Sequence, residues 1–156
     1  MYRHILVATD GSAPANKALE HGVELAKSVG ARISVVTVIP PLSAYTCRSD
    51  FKAVALDCAR KIEIAADDVL ANAEAVIKAH GLEGGTVKAR DHEPFRAILK
   101  TAGDQGADLI ITASCGRQRI PTALGGEMIN VLSHSNVPVL VYREQPPAAA
   151  QVTSIA

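Results

Sequence analysis

The stretch TASCGRQRIPTALGGEM, residues 112 to 128, concentrates residue types that can hold a phosphate. It carries Gly116, Gly125 and Gly126, the arginines Arg117 and Arg119, and Glu127. An apolar run, ADLII, precedes it and a helix-like segment follows. Glycine lets backbone N–H groups approach a phosphate, a helix N-terminus adds positive potential, and arginine adds charge-assisted hydrogen bonds. An ordinary strand-to-helix connection with solvated arginines has the same composition. The second candidate is Asp10, in TDGS at 9–12. A carboxylate at the end of a buried strand can accept from a ribose hydroxyl or hold a metal through water. It can equally accept from backbone N–H groups where the next helix begins, and the two roles are compatible. Cys115 lies in the candidate loop, where a helix N-terminus or Arg117 would lower a thiol pKa; a small half-buried thiol is the simpler account. His134 stands between Ser133 and Ser135, too close for a relay, and reads as polar packing at a helix end.

The elements that must position these residues follow from period and punctuation. HILVATD (4–10) is a short aliphatic run that reads as a buried strand. Ser12 is placed to cap the next helix and Pro14 suits its first turn. Ala15, Ala18, Leu19, Gly22, Val23 and Ala26 then recur at helical spacing, and Gly30 stops the run. ARISVVTVI (31–39) is a second strand, closed by Pro40-Pro41, with a loop over 42–50. A long helical stretch runs from about Phe51 to His80, either whole or broken near its middle. GGTVKAR (84–90) is a weaker strand, and Glu93-Pro94 opens a helix with Phe95, Ile98, Leu99 and Ala102 on one face. ADLIITA (107–113) and VPVLVYR (137–143) are further strands, flanking a short helix marked by Leu124, Met128, Val131 and Leu132. The last residues, 144–156, have no periodicity and read as a flexible tail.

The order is βαβαβαβαβ. The first, second, fourth and fifth strands are continuous apolar runs, which places helices on both faces of a parallel sheet in one α/β domain over 1–143. In such sheets ligands bind beyond the carboxyl ends of the strands, where strand order reverses. Thr9 to Ser12, Val38 to Pro40 and the 113–127 loop would meet there.

Composition narrows the function. Lysine plus arginine equals aspartate plus glutamate at 16 each, so the basic excess of a nucleic-acid or acidic-membrane binder is missing. Aromatics are 3% and tryptophan is absent, which removes base-stacking platforms. Cys47, Cys58 and Cys115 form no CxxC pattern, which argues against a disulfide framework or structural zinc. No run approaches the roughly 20 apolar residues of a membrane span, and MYRHILVATDGS is too quickly polar for a signal peptide. A protein of the reducing cytoplasm is expected.

HILVATDGS at the start, ADLIITASCGR at the fourth strand and VLSHSNVPVLVYR at the end resemble, together and in position, the short single-domain bacterial form of the universal stress protein family. The resemblance covers residues 1 to about 143. It implies an open five-stranded parallel sheet of order 3-2-1-4-5, with helices on both faces, of the adenine nucleotide alpha hydrolase-like class. It also implies a homodimer through strand 137–143. Many members bind ATP, through Gly-x2-Gly-x9-Gly followed by Ser or Thr; others lack that signature and do not.

This sequence departs from the signature. Ala113 holds the first glycine position and Gly116 the second. Nine residues on comes Gly126, followed by Glu127 in place of the hydroxyl; aligned from NVLSHS instead, Gly125 takes the glycine position and the loop is one residue short. Arg119 and Pro121 replace small residues, and Cys115 stands where many members carry histidine. Glu127 in a helical first turn is favoured by the helix dipole and could take the place of a phosphate. Two unit negative charges about 4 Å apart repel by about 1 kcal/mol in water and about 4 kcal/mol at an effective dielectric near 20.

By resemblance, then, Thr9, Asp10 and Val38 face the adenosine, and Ala113, Gly116, Arg117, Gly125, Gly126 and Glu127 lie along the phosphates. The cofactor implied is ATP or another adenine nucleotide, with Mg2+ between Glu127 and a phosphate as one arrangement. AMP and ADP tolerate a damaged far end of the loop better than ATP. No residue stands out as a general base, so weak ATP hydrolysis is the most enzymatic chemistry implied. The rival function is a member that has lost nucleotide binding through Glu127 and works as a dimeric protein-interaction module.

Overall fold

A computed structural model describes residues 1–45, 52–114 and 126–143. Within them the strands are β1 (His4–Ala8), β2 (Arg32–Ile39), β3 (Gly84–Arg90), β4 (Leu109–Ala113) and β5 (Val139–Tyr142). The helices are α1 (Ala13–Val29), α2 (Lys52–Ala79), α3 (Pro94–Gln105) and α4 (Gly126–His134), with a 3-10 turn at Leu42–Tyr45. The sheet order is β3-β2-β1-β4-β5 and the pairings are parallel. The chain steps outward from β1 through β2 to β3, then crosses back to β4 and β5. Strand order therefore reverses between β1 and β4.

β1 is buried at every position, and its alternate residues feed two cores. Ile5 and Val7 point to one face, with Ile33 and Val35 of β2 and Leu109 and Ile111 of β4. That face is covered by Leu19 and Val23 of α1 and Ala73 and Ile77 of α2. Leu6 and Ala8 point to the other, with Val36, Ile110 and Phe95 and Ile98 of α3, and Val131 of α4. Thus α1 and α2 share one face, and α3 and α4 the other.

Helix ends follow their residue chemistry. Ser12 caps α1, accepting from the Ala15 N–H, and Gly30 closes it at φ 69°, in the left-handed region glycine adopts without cost. Pro94 opens α3 and Gly106 closes it. α2 is continuous over 28 residues, so of the two expected forms it takes the whole one. Its interior holds neither glycine nor proline, and alanine is frequent. β5 also differs from expectation: its residues are half-buried, and Leu140 is exposed, because the strand order leaves it at an edge. His21 of α1 stacks on Tyr142 at 4.8 Å between ring centres, bracing that edge.

The amino end of the sheet is fastened by a buried polar cluster. His4 is buried, with Nδ1 3.0 Å from the Gln105 carbonyl and Nε2 2.8 Å from Ser34 Oγ. A carbonyl only accepts, so Nδ1 donates to it and Nε2 accepts from the Ser34 hydroxyl when the ring is neutral. The Asp108 carboxylate accepts from the backbone N–H of His4 at 2.9 Å and from that of Arg3. These bonds, the one from His4 foremost, hold its pKa below the usual carboxylate value.

Candidate functional site

At the carboxyl end of β1 the chain turns within Thr9 to Ser12, and each turn residue has a partner. The buried Thr9 donates its N–H to the Val36 carbonyl at 3.0 Å, and its Oγ1 accepts from the Gly11 N–H at 3.1 Å. Asp10 Oδ1 accepts from the Ser12 N–H at 2.9 Å, a side-chain turn of the kind aspartate favours. Gly11 adopts φ 78°, and a Cβ there would lie 2.4 Å from Cγ2 of Val69 on α2. The turn is thus pressed against the middle of α2, which only a glycine permits.

Beside that turn lies a cavity of about 220 Å3. Asp10 contributes to its lining, and Thr37, Val38, Ile39 and Pro40 come from the carboxyl end of β2. The far wall is Ile62, Ala65, Ala66 and Val69, one helical stripe of α2. Among the described residues the slot's side chains are apolar apart from Thr37 and Asp10. Its size suits a planar heterocycle with part of a sugar rather than a whole triphosphate, being below the roughly 300–1,000 Å3 of complete ligand pockets. A carboxylate in such a lining is an acceptor for hydroxyl groups. Among the described residues no group of three or more His, Cys, Asp or Glu side chains is arranged to hold a metal ion.

The structure brings Asp10 and Val38 into this one cavity. Thr9 shapes the turn from behind without lining it. Ala113 is buried at the end of β4, paired with Tyr142, and the next residue, Ser114, donates its N–H to the Tyr142 carbonyl at 2.8 Å. Gly126 and Glu127 open α4 on the face shared with α3, and among the described residues nothing lies within 4 Å of where a Gly126 Cβ would be. Gly116, Arg117 and Gly125, with Cys115, fall outside the described residues.

Glu127 stands in the first turn of α4, and its carboxylate reaches a neighbouring helix. Its Oε2 accepts from the backbone N–H of Phe95, at 3.0 Å, in the first turn of α3. His134 is polar packing at a helix end, as expected: Nδ1 is 2.9 Å from the Asn130 carbonyl, and the ring faces Phe95 at 5.3 Å. The α2 stripe is what sequence reasoning missed. Its signal was the spacing of Ile62, Ala65, Ala66 and Val69, which a core-facing helix shares.

Comparison with known proteins agrees with this architecture along nearly the whole chain. The universal stress protein YxiE of Bacillus subtilis is 28% identical over 151 residues, covering 92% of this chain and 100% of that protein. The solved structure of the hypothetical protein MJ0577 superposes with a TM-score of 0.81 at 26% identity, covering 93% and 98% of the two chains. A universal stress protein from Archaeoglobus fulgidus, solved in complex with dAMP, shares the fold at a TM-score of 0.66 and 24% identity, over 90% and 97%. The fold is that of the adenine nucleotide alpha hydrolase-like class. The family description of the universal stress proteins matches residues 1–143, which take in every strand and helix above, and the chain belongs to that family.

Proposed function

We propose that this protein binds an adenine nucleotide, with the base and ribose in the cavity between β2 and α2 and the phosphates directed toward the 113–127 segment. The observation that carries this is the cavity itself. A largely apolar slot lined in part by Asp10 opens at the carboxyl ends of β1 and β2, next to the β1/β4 point where strand order reverses, and the carboxyl ends of the strands are where α/β sheets of this kind take ligands. Asp10 would accept from the ribose, and Val38 would meet the base. Thr9 would hold the turn. Ala113, Gly116, Arg117, Gly125, Gly126 and Glu127 would border the phosphates, with Mg2+ arriving on the nucleotide. That an Archaeoglobus family member has been solved with dAMP supports a nucleotide of this class. The slot would hold the base and part of the ribose and make no contact with the β- and γ-phosphates, so AMP, ADP and ATP should bind with comparable affinity.

The protein would work in the cytoplasmic stress response as a homodimer, through the open edge of β5. No catalytic residue is assigned. A second role, as a dimeric interaction module without nucleotide, is favoured by one observation, the glutamate in the place of the phosphate-binding hydroxyl. Calorimetric titration with AMP, ADP and ATP, with and without magnesium, separates the two. Comparable affinities support the first; a strong ATP preference contradicts the accommodation of the adenosine end alone, and no heat with any of them favours the second.

A further inference from the structure

We infer that Glu127 is a positioning residue: a cap supplied by α4 to the N-terminus of α3, which fixes where the start of α4, and with it the phosphate side of the proposed site, is presented. The inference rests on the nucleotide proposal for that last clause and on geometry alone for the rest. α3 does not cap itself. Glu93, at the cap position, makes no side-chain bond to the helix backbone, and its carboxylate is 2.6 Å from Arg96 instead. Pro94 has no N–H, and the Arg96 N–H goes to the Glu93 carbonyl at 3.0 Å. Phe95 is the first-turn donor that needs an acceptor from elsewhere, and Glu127 Oε2 is that acceptor.

The same residue of α3 is gripped at the other end of α4. The Phe95 ring faces the ring of His134, and Phe95, Ile98 and Val131 share one apolar cluster. One α3 residue therefore meets the first turn of α4 through its backbone and the last turn through its ring. Both helices begin at the carboxyl edge of the sheet, because α3 follows β3 and α4 follows the β4 connection. A carboxylate tied at that edge locks two helix starts together.

Hydrogen–deuterium exchange and AMP titration on the full chain and on Glu127→Ala and Glu127→Gln test this. Glutamine keeps an oxygen acceptor and drops the charge. The Phe95 amide should exchange roughly tenfold faster in Glu127→Ala and near the natural rate in Glu127→Gln. The first amides of α4 should loosen in the same order. AMP affinity should fall severalfold in Glu127→Ala and recover in Glu127→Gln. Unchanged Phe95 exchange in Glu127→Ala overturns the cap. A gain in nucleotide affinity that is equal in both variants overturns the positioning role, since it marks Glu127 as a bare repulsive charge. If the natural protein binds no nucleotide, the nucleotide proposal fails, while exchange at Phe95 and in α4 still decides the cap.

Discussion

At Gly11 two constraints meet in one residue: φ of 78°, and a Cβ position 2.4 Å from Val69 Cγ2. An alanine there carries the left-handed backbone cost of about 1–2 kcal/mol and also pushes on α2 at the wall of the cavity. Gly11→Ala should lower unfolding stability by about 2 kcal/mol or more in urea, with nucleotide affinity falling alongside; a variant as stable as the natural protein would show that the turn moves freely from α2. The DGS sequence announces a turn and a helix cap, and both are present. The contact with Val69 is not legible, because the two residues are far apart in the chain and nothing local encodes their approach. Glu127 teaches the same lesson in reverse. Its local setting, a carboxylate in a helical first turn, predicts an interaction with its own helix, and gives no sign of the tertiary donor, the Phe95 N–H, that it also meets.

Among the elements, α2 and β3 are joined by charges that the sequence shows only as a solvated face. Glu63 pairs with Arg90 and, at 2.9 Å, with Lys88, which also meets Asp67 at 2.6 Å. The hydrogen bond from Arg90, then that from Lys88, lowers the Glu63 pKa from 4.5 to about 2. A carboxylate depressed in the folded state adds stability above its unfolded pKa and loses it as pH falls through the folded one. Glu63 thus contributes fully above about pH 4.5, and its contribution disappears toward pH 2. Asp108 is shifted in the same direction. Acid titration of melting temperature should show a steeper loss over that window in the natural protein than in Glu63→Gln, and more so at low salt, since these groups are partly exposed. Parallel slopes would contradict it. Whether α2 is whole or broken is not legible from its period, which the apolar yet exposed Val54, Leu56 and Ile64 blur; the absence of glycine and proline keeps the helix whole. β5 was misjudged, because a run such as VPVLVYR does not say whether its strand is central or at an edge.

For the molecule as a whole, βαβ alternation and continuous aliphatic strands disclose a parallel sheet covered on both faces, as the two cores bear out. The order 3-2-1-4-5 came from family resemblance, since periodicity does not rank strands in space. The edge it leaves carries Leu140 at 39% exposure, on the sheet face that α1 and α2 cover. An exposed apolar edge of this kind suits pairing with a second copy. Sedimentation should give a dimer for the natural chain and a monomer for Leu140→Arg; a monomeric natural chain would contradict the homodimer.

The central claim is that the slot between β2 and α2 holds the adenosine. Ala65 lines that slot from the exposed side of α2, so Ala65→Phe fills it while leaving the core intact. Calorimetric titration of both proteins with AMP is the direct measurement. Binding by the natural protein, weakened at least about tenfold in Ala65→Phe with the melting temperature unchanged, is the predicted result. Equal binding by the two proteins, or none by the natural one, would contradict it.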